Sequence, residues 1–425
     1  MPPTVAVSRK PCTEHDITVI GGGPMCDRTR RYEVRKLVVL MVLAHVAASL
    51  TALAQPAAAS PGSRTTAIVS LGDSYISGEA GRWNGNAGNF FASRNGTDRS
   101  YRSTWYGWTY RTGDVYLGAS LGNGCHRSDV AEIMTASIAV AEKINLACSG
   151  AATKNIFRSS SGGTAHRGEA PQADQLLAVA QQKDVKLVVL SIGGNDLGFG
   201  DIISQCVTAW VTSPASRPTL CRSSQQTAVD ERMPAARANV ARAIEEIRAV
   251  MSTAGYSRTQ YRLVVQSYPS PVPRGSEMRY GESGWSRLDT GGCPLWDSDA
   301  TWARDSLVPQ IADMIGAVTT ASGAQFLDLR DALAGREVCA RTAALVGSSG
   351  PSDSRSEWAR FLVSGVTQGD LEESFHPNAY AQRALGTCLT LVYAKPADTH
   401  WSCRNTPGAG VAAMTLAQVS GGSTG

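Results

Sequence analysis

Four short apolar runs in this chain lie at or within three residues of a glycine or proline and alternate with segments of helical periodicity. The runs cover residues 67–71, 187–192, 262–266 and 325–329. Short apolar runs next to turn residues are typical of buried strands. The helical periodicity covers residues 131–141, 173–182, 229–251, 302–320 and 379–392. This alternation predicts a parallel sheet with helices on both faces, which is a three-layer α/β/α sandwich.

Polar motifs follow two of the predicted strands, where ligands bind in parallel sheets. Two further motifs of similar character lie elsewhere in the chain. Acyl transfer by a serine requires a base and hydrogen-bond donors for the oxyanion, because a free hydroxyl is a weak nucleophile. The four motifs contain all of these parts. They are Gly72-Asp73-Ser74-Tyr75, Cys148-Ser149-Gly150-Ala151, Gly193-Gly194-Asn195-Asp196 and Ser374-Phe375-His376-Pro377-Asn378.

In this order the motifs resemble those of the SGNH hydrolases, also called GDSL lipases and esterases, over residues 66–395. The string from Gly72 to Glu79 resembles the secreted actinobacterial branch of that family. The resemblance implies a flavodoxin-like sheet and hydrolysis of carboxylic esters without a metal or organic cofactor. It also implies a nucleophile, a general base and three oxyanion donors. The nucleophile would be Ser74 and the general base His376. The oxyanion donors would be the backbone N–H groups of Ser74 and Gly150 and the side-chain amide of Asn195.

The third member of the catalytic set departs from the family pattern, in which an aspartate stands three residues before the histidine. This chain has Glu373 there and Asp370 three residues further back. Either the Glu373 carboxylate or only its backbone carbonyl would then orient His376. We predict that position 373, rather than position 370, carries this role.

Other candidate residues have weaker contexts. Ser120 matches the nucleophile elbow of α/β-hydrolases, but an elbow leads into a helix and Ser120 leads into a glycine-rich stretch. We expect Asp196 to fix its loop rather than to exchange protons. His126, His166 and His400 have no comparable motif and are interpreted as surface or loop residues.

Residues 28–59 have the three parts of an export signal, namely a basic start, an apolar run at 37–53 and small-residue cleavage sites. We predict cleavage near residue 55 or 60 and a secreted mature protein. The rival interpretation is an uncleaved anchor, but the run is shorter than the roughly 18 to 20 residues of a membrane span and contains His45. We therefore expect no stable span after cleavage.

Residues 1–27 precede this signal and are interpreted as an extension from a wrongly assigned start codon. Within them, residues 16–24 resemble the opening of a dinucleotide-binding turn. The helix and second strand that such a turn requires are missing, so an oxidoreductase has little support.

The chain has ten cysteines, of which Cys12 and Cys26 lie before the predicted cleavage site. The even number that remains, in an exported protein, favours disulfides. Metal binding is the alternative, but the sequence has no Cys-x-x-Cys and no paired-histidine spacing. Sequence alone leaves the connectivity open. Neighbouring pairs would be Cys125 with Cys148, Cys206 with Cys221, Cys293 with Cys339, and Cys388 with Cys403, and the first three resemble the pairing of secreted relatives.

We predict one hydrolase domain at 60–405 and a flexible tail at 406–425. Residues 82–124 and 270–300 exceed a minimal sandwich and are predicted insertions. Aromatic residues cluster in the first insertion, either as a substrate platform or lid or as a small local core. They are Trp83, Phe90, Phe91, Tyr101, Trp105, Tyr106, Trp108 and Tyr110.

Charge and composition narrow the function classes. The net charge of +4 is small for 425 residues, which argues against nucleic-acid binding, and 43% hydrophobic with 18% charged residues indicates a globular protein. We expect a monomer that acts on a small-molecule, lipid or acylated-glycan ester. A glycan deacetylase of the same fold and a catalytically silent carbohydrate-binding module are the alternatives, since a fold does not select a substrate.

Overall fold

The computed structural model describes residues 64–87, 94–363 and 371–419. The predicted extension at 1–27 and the predicted signal peptide at 28–59 lie outside these residues. Phe90, Phe91 and Asp370 also lie outside them.

A seven-stranded sheet forms the centre of the molecule, with the order β4-β1-β5-β6-β7-β8-β9. All pairs are parallel except β8 with β9. The first five parallel strands have the flavodoxin-like order 2-1-3-4-5, which confirms the predicted fold class. Strands β2 and β3 form a separate antiparallel hairpin. The strands are β1 Thr66–Gly72, β2 Tyr101–Thr104, β3 Gly107–Tyr110, β4 Glu142–Asn145, β5 Asp184–Ser191, β6 Arg262–Gln266, β7 Gln325–Asp328, β8 Trp401–Arg404 and β9 Thr415–Gln418.

The helices form two packed groups around this sheet. The first group joins α3, α5 and α8, and in the second α9 packs against α2. A π-helical segment, Ala303–Leu307, connects α7 to α8. Short 3-10 turns occur at Arg94–Gly96, Thr112–Asp114, Thr153–Asn155, Ser159–Ser161, Gly275–Glu277 and Val411–Ala413. The α-helices are α1 Ser74–Ser77, α2 Glu132–Thr135, α3 Gln172–Gln182, α4 Phe199–Thr212, α5 Arg222–Thr253, α6 Ser286–Asp289, α7 Asp297–Trp302, α8 Val308–Ala321 and α9 Ala379–Tyr393.

The predicted helix at 131–141 is wrong beyond its first turn. The helix ends at Thr135, and the edge strand β4, Glu142–Asn145, which the sequence did not predict, begins directly after the predicted range. Ala136 already has an extended backbone, and β4 is then held by its parallel pairing with β1. Tertiary pairing decides such a short segment more than its own residues do.

The predicted flexible tail is also wrong for part of its length. Thr415–Gln418 forms β9, which pairs antiparallel with β8. The open edge of β8 provides backbone donors and acceptors that any sequence can pair with. A composition rich in glycine, serine and alanine therefore did not reveal this strand.

The centre of the sheet explains the apolar runs. Both faces of β1 and β5 are covered, and Ile68, Leu71, Val188 and Leu190 are fully buried. Strands buried on both faces lose the alternation of polar and apolar residues. Among the described residues, no helix has the length and apolar character needed to cross a membrane.

Among the described residues, four disulfides join cysteines that are neighbours along the chain. The bond between Cys125 and Cys148 lies directly before Ser149 and Gly150, and the bond between Cys388 and Cys403 ties α9 to β8. The other two bonds join Cys206 to Cys221 and Cys293 to Cys339.

Candidate active site

Ser74 is the first residue of α1, directly after β1. Strands β1 and β5 approach so closely here that a Cβ on Gly72 would lie 2.0 Å from the Ser191 carbonyl oxygen, which only glycine permits. The Asp73 side chain caps α1 by accepting from the Tyr75 N–H. The strand therefore delivers the Ser74 hydroxyl to the carboxyl end of the sheet, with 7% of the residue exposed.

His376 lies in the loop before α9, with its Nε2 2.7 Å from the Ser74 hydroxyl oxygen. Its Nδ1 lies 2.9 Å from the Ser374 carbonyl oxygen. A carbonyl can only accept, so Nδ1 carries the ring proton and Nε2 accepts from the Ser74 hydroxyl. Burial lowers the pKa of His376 below its ordinary value of 6.5. The ring is therefore a neutral base that faces the serine.

The prediction that residue 373 orients His376 is wrong in this structure. The Glu373 carboxylate accepts instead from the Trp83 indole N–H at 2.5 Å and from the Tyr116 hydroxyl. The Glu373 carbonyl accepts from the backbone N–H of His376, not from its ring. Phe375 has a φ of 59°, a left-handed turn, and the ring of His376 faces the Ser374 carbonyl across it. Burial raises the pKa of Glu373 to about 7.

The three candidate oxyanion donors, Ser74, Gly150 and Asn195, line one cavity. Gly150 has a φ of 77°, a left-handed conformation that favours glycine. The Asn195 side-chain amide donates to the Ala151 carbonyl at 2.8 Å, which ties the two loops together. Within the part of the chain that the structure describes, the backbone N–H groups of Ser74 and Gly150 have no protein acceptor. They are available to a ligand.

Two further residues hold these loops in place. The Asp196 carboxylate accepts from the Thr153 N–H at 3.0 Å and from the Thr153 hydroxyl, so it fixes its loop as expected. The Tyr268 hydroxyl donates to Asp73 and accepts from the Gly194 N–H at 3.1 Å. Sequence reasoning missed Tyr268, although its place just after β6 is a signal, because β6 ends at the same sheet edge. Burial raises the pKa of Asp73 to about 7.

A hydrogen bond across the site joins the loops of Ser74 and His376. The Tyr75 hydroxyl donates to the Phe375 carbonyl at 2.9 Å, and the Gln382 amide donates to the Tyr75 carbonyl at 2.8 Å. These contacts connect α1 to the segment that leads into α9. The distance between nucleophile and base is thereby fixed by buried groups rather than by the two side chains alone.

A cavity of about 410 Å³ opens beside the serine, and Ser74, Gly150, Asn195 and His376 all line it. One wall is apolar, because Phe199, Ile203 and Val207 follow one another at four-residue spacing along α4. Leu362 and Leu371 line it as well, whereas Arg167 and Glu372 add charge. Two smaller apolar cavities, of about 30 and 60 Å³, adjoin it at Phe199. The site can therefore hold an apolar chain next to a polar reacting centre.

The other histidines and the competing serine make their hydrogen bonds to groups other than Ser74 and His376. His126 lies in a loop, as one of the two interpretations has it, but it is buried and bonded to Glu79, so it is not a surface residue. The His166 Nε2 donates to the Ser149 carbonyl at 2.8 Å, and His400 accepts from the Phe326 N–H at 3.1 Å. Ser120 donates to the Arg127 carbonyl and is followed by turns, not by a helix.

The aromatic residues of the insertion divide between the two predicted roles. Trp83 is buried and belongs to the local structure around Glu373. Tyr116, which sequence reasoning passed over, is buried beside the same carboxylate. The aromatic residues of the β2–β3 hairpin are instead largely exposed. Across the described ranges, no group of three or more histidine, cysteine or acidic residues could hold a metal ion.

A flavodoxin-like sandwich that places a serine, its histidine and two further motif loops at one sheet edge is the architecture of the SGNH hydrolases. The sequence pattern of the GDSL-like Lipase/Acylhydrolase family matches residues 70–384, and the chain belongs to this family. Membership of this family makes the chain a hydrolase.

Several solved structures are similar to the chain. An extracellular lipase from Streptomyces rimosus and phospholipase A1 from Streptomyces albidoflavus NA297 each share 21% identity, with 78% of this chain and 100% of theirs covered and a TM-score of 0.42. Est24, a carbohydrate acetylesterase from Sinorhizobium meliloti, shares 10% identity over 77% of this chain and 98% of its own, with a TM-score of 0.31. The search of curated proteins found no match.

Proposed function

We propose that this chain is a secreted serine hydrolase that cleaves carboxylic esters through an acyl-enzyme. The observation that carries the proposal is the hydrogen-bond relay from the Ser74 hydroxyl through His376 to the Ser374 carbonyl. In this relay the lone pair of Nε2 points toward the nucleophile. The Ser374 carbonyl accepts from the N–H of Nδ1 and so keeps the ring in that tautomer.

In the first step His376 Nε2 takes the Ser74 proton while the oxygen attacks the ester carbonyl. The negative charge that develops on the carbonyl oxygen is stabilised by the N–H groups of Ser74 and Gly150 and by the Asn195 amide. His376 then gives its proton to the leaving alcohol. Water, deprotonated by the same ring, hydrolyses the acyl-enzyme and restores Ser74.

The cavity supports an apolar acyl group as the part of the substrate that lies along α4. Phe199, Ile203 and Val207 provide a continuous apolar surface that begins beside the oxyanion donors. Burial of each methylene group of such a chain contributes about 0.8 kcal/mol. Arg167 and Glu372, at the same cavity, suit a polar alcohol portion.

The hydrolase domain that we propose covers residues 60–405, following a signal peptide at 28–59. The four disulfides support an oxidising compartment, because such bonds are rare in reducing ones. Secretion is therefore part of the proposal.

Hydrolysis of p-nitrophenyl acetate, butyrate and palmitate by the wild type and by Ser74→Ala tests the function. We expect the variant to lose at least about 10⁴-fold in kcat on every ester the wild type cleaves. Ser120→Ala is the matched control and should retain full activity. Loss of activity in Ser120→Ala instead would contradict the assignment of Ser74. A wild type that is inactive on all three esters but cleaves acetylated xylan would make the chain a glycan deacetylase.

A further inference from the structure

The β2–β3 hairpin, residues 101–110, presents aromatic side chains to solvent. Trp105 is 94% exposed, Tyr106 75%, Trp108 64% and Tyr110 39%. A single exposed aromatic residue is ordinary on a protein surface, but a cluster of them marks an interaction site. We call residues 101–110 the aromatic hairpin.

The aromatic hairpin concentrates these rings at its apex and on one face. Residues directly opposite in an antiparallel pair point the same way, and the pairs Tyr101 with Tyr110 and Ser103 with Trp108 share one face. Trp105 and Tyr106 occupy the turn, where glycine, asparagine and aspartate are the usual residues. Two large aromatic side chains in such a position have a role other than forming the turn.

The ring geometry does not suit a flat glycan platform. Trp105 and Tyr106 lie edge to face at 89°, and Trp108 and Tyr110 at 67°. Tyr101 and Trp108 are closer to parallel, at 28°, but their centroids are 6.5 Å apart. Rings whose planes differ this much do not form the flat surface on which successive sugar rings can stack.

We propose that the aromatic hairpin is a membrane-anchoring wedge that inserts into the surface of a phospholipid bilayer. Tryptophan and tyrosine have an apolar body with a polar tip, and they concentrate at the headgroup level of membranes for that reason. The apex rings enter the interface, where they lose contact with water without leaving their N–H and O–H groups unpaired.

Charge at the base of the hairpin matches phosphate headgroups. Arg102 and Arg111 have 43% and 64% of their side chains exposed. Both contact Asp114, whose single charge leaves this group net positive. Each basic residue near an anionic leaflet contributes about 1 kcal/mol to binding. A bilayer that contains anionic lipid is therefore the expected occupant.

The hairpin is connected to the segment that carries the base. The Arg82 guanidinium lies 5.3 Å from the Tyr110 ring centroid and 4.8 Å from that of Trp83. Trp83 in turn donates to Glu373, three residues before His376. Contacts from the hairpin thus reach the segment that carries His376 through Arg82, Trp83 and Glu373. The binding itself does not depend on catalysis, so it can be tested without it.

Cosedimentation with large vesicles tests the anchor, with all chains carrying Ser74→Ala so that no lipid is hydrolysed. The vesicles contain phosphatidylcholine alone or phosphatidylcholine with a minor fraction of phosphatidylglycerol. We expect binding that the anionic lipid strengthens. Trp105→Ala with Trp108→Ala should weaken it at least about tenfold, and Arg102→Gln with Arg111→Gln should remove the effect of phosphatidylglycerol.

The matched control is Trp285→Ala, because Trp285 is 68% exposed but lies outside the hairpin. It should bind vesicles as the parent chain does. Thermal unfolding of each variant checks that the fold is intact. As a second check, the same substitutions are made in chains that keep Ser74, and hydrolysis of p-nitrophenyl butyrate is measured. A parent chain that does not bind vesicles would overturn the proposal. Vesicle binding by the double tryptophan variant that equals binding by the parent chain would also overturn it.

Discussion

The imidazole Nδ1 of His376 lies 2.9 Å from the carbonyl oxygen of Ser374, two residues earlier in the same loop. The group that orients the proposed base is therefore a neutral dipole of the backbone. A carboxylate would stabilise the imidazolium that forms during the reaction more strongly. The nearest carboxylate in sequence, Glu373, is occupied by Trp83 and Tyr116.

We expect Glu373→Gln to keep kcat within about tenfold of the wild type, because the Glu373 carboxylate does not contact the ring of His376 in the wild-type structure. Replacing a carboxylate that completes a triad by an amide lowers kcat about 10⁴-fold. Stability should change little, because the new amide oxygen can accept from Trp83 while the amide N–H donates to the Tyr116 hydroxyl, which itself donates to the Glu79 carbonyl. Steady-state kinetics on p-nitrophenyl butyrate and chemical denaturation measure the two effects. A 10⁴-fold loss in a folded variant would restore Glu373 as the orienting residue.

The acid limb of kcat/KM should have its midpoint below pH 6.5. His376 acts as a base only when neutral, and burial lowers its pKa from the ordinary value of 6.5, so the active range extends toward acid. Initial rates at low substrate concentration across pH 4 to 8 measure this limb. A midpoint above pH 6.5 would mean that the ring gains an anionic partner in the working enzyme.

We expect Asn195→Ala to lose about 10² to 10³ in kcat with a much smaller change in KM. The amide is assigned to the oxyanion, which is negative only in the transition state and the intermediate. The amide also holds the Ala151 carbonyl, so unfolding must be measured alongside kinetics. Thr153→Ala is the control for loop position, because it removes the side-chain contact to Asp196 without touching an oxyanion donor. If kcat falls by the same factor in both variants, Asn195 positions the loop and does not bind the oxyanion.

Replacing Cys125 and Cys148 by serine should lower the free energy of unfolding by about 3 kcal/mol and reduce kcat as well. The bond encloses a sequence separation of 23 residues and ends next to the Gly150 loop. The same change at Cys388 and Cys403, with a separation of 15, should cost similar stability and leave kcat unchanged. Denaturation and single-ester kinetics under folding conditions compare the pairs. Equal kcat in both variants would show that the loop keeps its shape without the bond.

Glu132→Gln should flatten the dependence of stability on pH. Burial raises the pKa of Glu132 from 4.5 to about 8, so the folded state holds a proton that the unfolded state releases. Stability from this group is then present below pH 4.5 and is lost as the pH rises through 8. The decrease in the free energy of unfolding between pH 5 and pH 8 should be smaller in the variant than in the wild type, by on the order of 4 kcal/mol. Denaturant titrations at both pH values measure it, and identical slopes in wild type and variant would contradict the shift.

The sequence revealed those elements whose side chains are constrained by burial. Strand β1, the start of α9 and the motif residues Ser74, Gly150, Asn195 and His376 could be placed because apolar runs, glycines and caps are local signals. Strands β4 and β9 could not, because pairing with a neighbouring strand holds them.

The Ser374 contact was hidden for a related reason. Backbone carbonyls are present at every residue, so only the conformation of Phe375 determines which of them meets the ring. Tyr268 and Tyr116 likewise act through contacts to segments far away in the chain, of 195 and 257 residues respectively. A single sequence contains no local pattern for such pairs.

The sequence distance of 302 residues between Ser74 and His376 also determines when activity can arise during the life of the molecule. A ribosome makes Ser74 long before its proposed base, and the loop that carries that base is held by contacts with α1. A shortened or unfinished chain that stops before residue 376 thus has a nucleophile with nothing to deprotonate it. The proposed activity accordingly begins only after residue 376 has been synthesised and α9 has docked.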